Sequence, residues 1–384
     1  MKIFYYAWHE NSQNDMVQSL QRLGHDVVKC HIPLKDYKRD EEFTANLERI
    51  FKEQGCDIFF SFDFFPLIAK SAEHLKKKYI SWIYDMPHNT LFSPAVKGEY
   101  TTVFVFDYVQ YLQIKQIKSS QVYHMPLAVN AVRLNRQLGE LSYDPDYHHD
   151  ISFVGSLYEK NLYRQIQYLP DYLNGYLNGL IEAQQKIYGY NLVEEMLTDK
   201  IIKELRKYVI LNLDQSYLVS DKQLYMDMIN AEITARERRN LIAALAKEHR
   251  FTLYSGSDSS LISGVEAGGV VSYEKEMPHV FRESKINLNV TLRSIASGIP
   301  LRALDIMGAG GFLLSNYQRE LAEYFTDGQE MVMFESVEDM LVKAAYYLEH
   351  EEERKEIAYR GWKRVQEQFS YEVQVGKMLE IAEK

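Results

Sequence analysis

Only two of the 384 residues are cysteine, Cys30 and Cys56. That excludes a disulfide framework, and without clustered partners neither thiol belongs to a zinc site. Both read as reduced core residues. No uninterrupted apolar run reaches the ~18 residues that cross a bilayer, so no transmembrane segment is expected. The opening MKIFYYAWHE goes directly into a strand pattern rather than a basic-then-apolar leader, and the chain reads as cytoplasmic. Positive charge is in short supply too. Lys and Arg number 44 against 54 Asp and Glu, a formal charge of -10, which excludes a broad footprint for nucleic acid. Any bound phosphate must be held locally. What is abundant is apolar content, 46%, enough for the cores of two ordinary domains, and tyrosine, at 29 residues.

The first 125 residues alternate short β-branched or aromatic runs with amphipathic stretches, the mark of parallel strands joined by crossover helices. Strands are expected at Ile3–Tyr6, Asp26–Cys30, Asp57–Phe62, Tyr79–Tyr84, Thr102–Phe106 and Gln121–Met125. Helical patterns lie between them, one stopped by Gly24. From Pro126 to 149 no period is sustained, and this stretch reads as a linker. A second α/β unit spans 150–368, with strands at Asp150–Val154, Phe251–Tyr254, Val270–Tyr273, Ile286–Val290, Gly311–Leu314 and Met331–Phe334. Within it, about 157–245 reads as a helical insertion that can cap a cleft, bind an acceptor or make a homodimer contact. From Val337 to Lys384 the chain reads as helical apart from a break near Phe369–Ser370, and residues 369–384 form a last helix able to pack back on the first domain. The fold class is α/β, with two Rossmann-like domains expected to face a cleft.

In open sheets of this kind ligands sit beyond the carboxyl ends of the strands, where helix starts offer backbone donors to phosphate. Two segments fit. Gly155-Ser156 follows the first strand of the second unit, with Lys160 and Arg164 expected on one helical face behind it. Downstream, SKINLNVTLRSIASGIPLRALDIMGAGGFLLSN (284–316) runs from a strand through Ser297-Gly298 into a helix carrying Arg302 and Asp305, then into a Gly-rich turn. A carboxylate there can accept both hydroxyls of a ribose, and a guanidinium can pair with phosphate through two parallel bonds. In the first unit His9, Asp85 and His88 all follow strands and are candidates for the base that would deprotonate an acceptor. Trp8 and Tyr84 offer a platform for a sugar ring. Asp144-Pro145-Asp146 has the spacing of a metal-binding pair but reads as a turn, so metal-independent chemistry is expected.

RALDIMGAGGFLLSN (302–316) resembles the donor-site segment of two-Rossmann (GT-B) glycosyltransferases of group 1, especially the spore-maturation CgeB-like group. FVGSLYEKNLYR (153–164), VVSYEKEMPHVFRESKINLNV (270–290) and ERKEIAYRGWKRVQEQFSYEVQVGKML (353–379) are similar to other parts of the same domain, and WIYDMPHNT (82–90) to a stretch of the partner domain. The resemblance implies hexosyl transfer from a nucleotide-diphosphate sugar, a UDP-sugar favoured, to a hydroxyl acceptor on a glycan, protein or small molecule. It implies no other cofactor. It sets Asp305 on the ribose, Gly155, Ser156 and Arg302 near the diphosphate, and Tyr254 or Tyr273–Met277 near the base. Many retaining relatives have a Glu eight positions before the ribose carboxylate; here that position is Ser297. Retention against inversion therefore stays open. So do two other readings, a catalytically silent nucleotide-sugar-binding or scaffold protein and a nucleotide-sugar 2-epimerase.

Overall fold

The computed structural model describes residues 1–139, 141, 146–211 and 217–383. They divide into two compact units. One comprises residues 1–130 with the described residues of 213–219 and 368–384; the other comprises 131–367 apart from that excursion.

The first unit is built on a six-stranded parallel sheet: β1 (Lys2–Tyr6), β2 (Asp26–Cys30), β3 (Ile58–Phe62), β4 (Tyr79–Trp82), β5 (Thr101–Val105) and β6 (Val122–His124), in the order β2-β1-β3-β4-β5-β6. Helices cover both faces, so β3, β4 and β5 are buried at every position and their sequences are unbroken apolar and small-residue runs. Asp40 and Asp107 cap helices Glu41–Glu53 and Tyr108–Ile117 by accepting from Phe43 N and Gln110 N, which fixes where each crossover begins. The last helix, Tyr371–Glu383, belongs to this unit: Arg22 pairs with Glu372, and the Tyr371 ring lies edge-on to Trp82.

The second unit holds β7 (His149–Val154), β8 (Phe251–Tyr254), β9 (Val265–Gly269), β10 (Ser284–Asn289), β11 (Leu313–Asn316) and β12 (Val332–Phe334), again all parallel, in the order β12-β11-β10-β7-β8-β9. Counted from its own first strand this is 3-2-1-4-5-6, the dinucleotide-fold order, whose direction reverses between β7 and β10. At the turn into β11 a Cβ on Gly311 would stand 2.6 Å from the Phe281 carbonyl, so only glycine lets this turn pass so close to helix Met277–Arg282.

Three expectations are corrected here. The stretch 126–149 contains a helix, Ala131–Leu138, whose apolar residues Ala131 and Leu134 are buried. The strand expected at Val270–Tyr273 lies five residues earlier, at β9, because VEAGG carries too little bulk to read as a strand. The terminal helices break at His350 as well as near Ser370. Asp144 and Pro145 lie outside the described residues.

The helical insertion has a core of its own. Leu173, Leu177, Ile181, Val193, Leu197, Ile202 and Leu205 pack on Tyr225, Ile229 and Ile233 of one long helix, Asp221–Glu248. That helix has 28 residues, roughly 42 Å at 1.5 Å per residue. Its second half places Leu241, Ile242 and Leu245 against the sheet. One rod thus joins insertion and sheet, and Arg238 sits at the joint.

Candidate functional site

The exits of β7 and β10 form the topological switch point of the second unit. Gly155 and Ser156 follow β7, and a Cβ on Gly155 would crowd the Phe153 ring at 3.3 Å and lie in ordinary contact with the Arg238 guanidinium at 3.5 Å. Arg238 Nη1 donates to the Ser156 carbonyl (2.7 Å), and Nη2 and Nε donate to the Val290 carbonyl beyond β10 (2.7 and 3.2 Å). It spans the switch point itself. Its cation also lies over the rings of Phe153 and Tyr158, at 5.3 and 5.0 Å.

The neighbouring arginines show which guanidinium can hold an anion. Arg164 and Arg236 both donate to Glu232, at 2.6 and 2.8 Å, and Arg293 makes a two-bond fork with Glu237, 2.8 Å on each arm. Their charge is spent. Arg238 has only carbonyl acceptors among the described residues, and Arg302 approaches Asp305 no closer than 3.9 Å while donating to the Met277 sulfur. Burial, with the nearby positive charge of Arg302, brings Arg238 down to about 10. Two cations that disfavour each other at a switch point make a local positive potential suited to a diphosphate.

Asp305, almost fully buried, lies in helix Leu301–Gly308 and accepts from the Tyr273 hydroxyl at 3.0 Å. Tyr273, Met277, Arg302 and Asp305 are thus brought together. Ser297 and Gly298 are buried in the turn before that helix, where the Ser297 hydroxyl donates to the Glu320 carboxylate at 2.7 Å and the Glu320 amide donates to the Ser297 carbonyl at 2.9 Å.

Two expected donor-side residues fall elsewhere. Arg164 is in a loop with a single 3-10 turn, Tyr163–Gln165, not on a helix, and its fork is occupied by the buried Glu232. Tyr254, expected near the base, lays its ring across Gly268 of β9, and its hydroxyl meets His149 Nε2 at 3.0 Å, at the start of β7 rather than at its carboxyl exit. Arg238 was not singled out in the sequence. It stands 82 residues from Ser156, in a helix whose polar pattern is that of any half-exposed surface.

In the first unit the reversal falls between β1 and β3. His9 is exposed, in a left-handed conformation (φ 78°), with its ring 4.0 Å from that of His31. The loop is held by Glu10, buried behind it: its carboxylate accepts from the Trp8 amide at 2.8 Å and from the Tyr5 hydroxyl, and burial raises its pKa. Asp63, buried and also left-handed (φ 58°), does the same for the loop after β4, accepting from the amides of Tyr84 and Asp85 at 2.9 and 3.1 Å. Asp85 is exposed, and desolvation by the surrounding protein, then the charge of Asp63, brings its pKa to about 6, with His88 acting in the opposite sense. As Asp85 keeps solvent contact, the neighbouring charge is the firmer of the two causes.

His88 is turned inward. Its Nε2 meets the Phe64 amide at 3.0 Å and the Thr90 hydroxyl at 2.7 Å, and its Nδ1 lies 3.7 Å from Asp63. It anchors the loop, and Asp85 and His9 remain the outward titratable groups. Trp8 donates to the Phe62 carbonyl and Tyr84 bonds Ser12, so both rings belong to the packing of these loops.

Residues 236–380 match a family model described as glycosyl transferase-like, a span that opens two residues before Arg238. No curated protein matches the chain in sequence. In fold the chain is similar to sucrose-phosphate synthase from Thermosynechococcus elongatus, at 11% identity and a TM-score of 0.57, over 99% of this chain and 98% of that one. It is likewise similar to HepE from Anabaena, solved in complex with UDP and glucose, at 9% identity and 0.57, over 99% of both chains. A glycosyltransferase from Rickettsia africae gives 12% and 0.53, over 100% of this chain and 97% of that one. The chain therefore has the two-Rossmann GT-B fold, and among the described residues no helix is long and apolar enough to cross a membrane.

Proposed function

We propose that this chain transfers a hexose from a nucleotide-diphosphate sugar to a hydroxyl acceptor. The observation that carries the reading is the pair Arg238 and Arg302, the guanidiniums near the second unit's switch point that no carboxylate neutralises at close range. As the bond from the anomeric carbon to the diphosphate breaks, its electron pair moves to the phosphate oxygen. Fixed cations and loop amides there stabilise that charge without reorganising. Asp305 is the acceptor for the ribose hydroxyls, exchanging its bond from Tyr273 for theirs. A UDP-sugar is the favoured donor, in keeping with the UDP and glucose bound in the Anabaena neighbour. Because cationic side chains take the role a metal would, transfer is expected to survive EDTA. The likeness to the CgeB-like group makes a spore or cell-surface acceptor part of this reading, and the helical insertion is the surface to examine for a dimer.

One observation favours a second reading, nucleotide-sugar binding without turnover: Ser297 is buried and its hydroxyl is committed to Glu320. Incubation with UDP-glucose, UDP-GlcNAc, GDP-mannose and TDP-glucose without acceptor separates the two. Slow release of nucleoside diphosphate from one of them is expected. Tight binding with no release from any would establish the silent protein.

A further inference from the structure

Two buried carboxylates of the first unit, Glu10 and Asp63, lie beneath the loops that carry His9 and Asp85. Burying carboxylates costs stability unless something is gained, and among the described residues neither accepts a hydrogen bond from a lysine or arginine. Asp63 is the more heavily used. Its carboxylate takes the Tyr84 and Asp85 amides, and its own carbonyl accepts from the hydroxyls of Ser61 (2.7 Å) and Ser81 (2.9 Å). The ends of two strands, β3 and β4, are thereby locked to one residue in a backbone region that non-glycine residues seldom enter.

We infer that Asp63 is a positioning residue for proton transfer: it fixes the Tyr84–Asp85 backbone and sets its own negative charge beside Asp85, which then takes the proton of the acceptor hydroxyl. The inference rests on the transfer reading above. In the step, the acceptor oxygen forms its bond to the anomeric carbon, the nucleoside diphosphate departs with the electron pair, and the hydroxyl proton moves to an Asp85 carboxylate oxygen. A base is more effective the nearer its pKa lies to the working pH. The charged groups acting on Asp85 are Asp63 from the β3 end, Glu10 from the β1 end and His88 from its own loop; the first two strengthen it as a base and His88 weakens it. Glu10 plays the lesser part.

The test follows the Asp85 carboxyl carbon by NMR in the full chain labelled with carbon-13 aspartate, with Asp85→Asn assigning the signal. The wild-type signal is expected to titrate near pH 6. Asp63→Asn, which keeps an acceptor and tolerates the left-handed backbone, should move it down by about one pH unit or more, toward the ordinary value of about 4. The acid limb of kcat/KM should move with it, whereas a merely structural Asp63 would lower activity at every pH alike. A wild-type midpoint near 4, or a midpoint unmoved in folded Asp63→Asn, overturns the inference. Should Asp63→Asn fail to fold, Glu10→Gln should give a smaller shift in the same direction, and no shift overturns it equally. The titration needs no donor. A chain that releases nothing from any nucleotide sugar yet titrates in this way refutes the transfer reading alone; turnover retained at the wild-type kcat in Asp85→Asn refutes the proton role alone.

Discussion

The two units share a topology of parallel strands whose order reverses once, yet the loops at their switch points carry opposite charge. In the second unit Arg238 has no carboxylate partner among the described residues and Arg302 only Asp305 at 3.9 Å, while Arg164, Arg236 and Arg293 are neutralised by Glu232 or Glu237. In the first, Glu10 and Asp63 are buried under Asp85 and His9. In the proposed reading, the same backbone device, strand ends fanning apart, is dressed once to hold an anion and once to hold a proton. Fold gives the place; a few side chains give the chemistry.

The sharpest way to break this comparison is Arg238→Ala. If the guanidinium meets the diphosphate through charge-assisted bonds of roughly 2–3 kcal/mol, nucleotide affinity by calorimetry should fall about 30- to 150-fold. Arg238→Lys should recover only part of that, since an ammonium lacks the planar fork. Arg302→Ala tests whether its charge serves bond breaking. A loss of about 100-fold in kcat with a smaller change in nucleotide affinity is expected, and equal losses in both would mark it as a binding group only. Asp305→Ala should cost about tenfold in affinity for a ribonucleotide and little for its 2′,3′-dideoxy counterpart, measured in the same cell.

The smallest expected effect concerns stability. The folded pKa of Asp85 is raised above its unfolded value, so the native state binds the extra proton and stability declines as pH rises from about 4 through about 6. Asp85→Asn should flatten that part of the curve of melting temperature against pH. A decline that persists in the variant would assign it to another group.

Much of this was legible in the sequence. Strands covered on both faces by helices run to apolar and small residues, so β3, β4 and β5 announce themselves, and Arg302 and Asp305 stand beside a Gly-rich turn that draws the eye. β9 was placed too late because glycine carries no β signal. Arg164 was misread because its spacing from Lys160 means proximity only on a helix, and no helix forms there. Arg238, Asp63 and Glu10 left no local mark. Each acquires its role from partners brought together by folding: Val290 for the first, the β4 exit for the second, Tyr5 and Trp8 for the third.

The account stands on the grip of two arginines on a diphosphate, and the direct measurement is calorimetric binding of UDP, GDP and TDP against the corresponding nucleosides. One diphosphate should bind at least about 100-fold more tightly than its nucleoside in the wild-type chain, and that ratio should collapse toward one in the folded Arg238→Ala, Arg302→Ala double variant. A nucleoside that binds as well as its diphosphate, or a ratio that survives the double substitution, would contradict it.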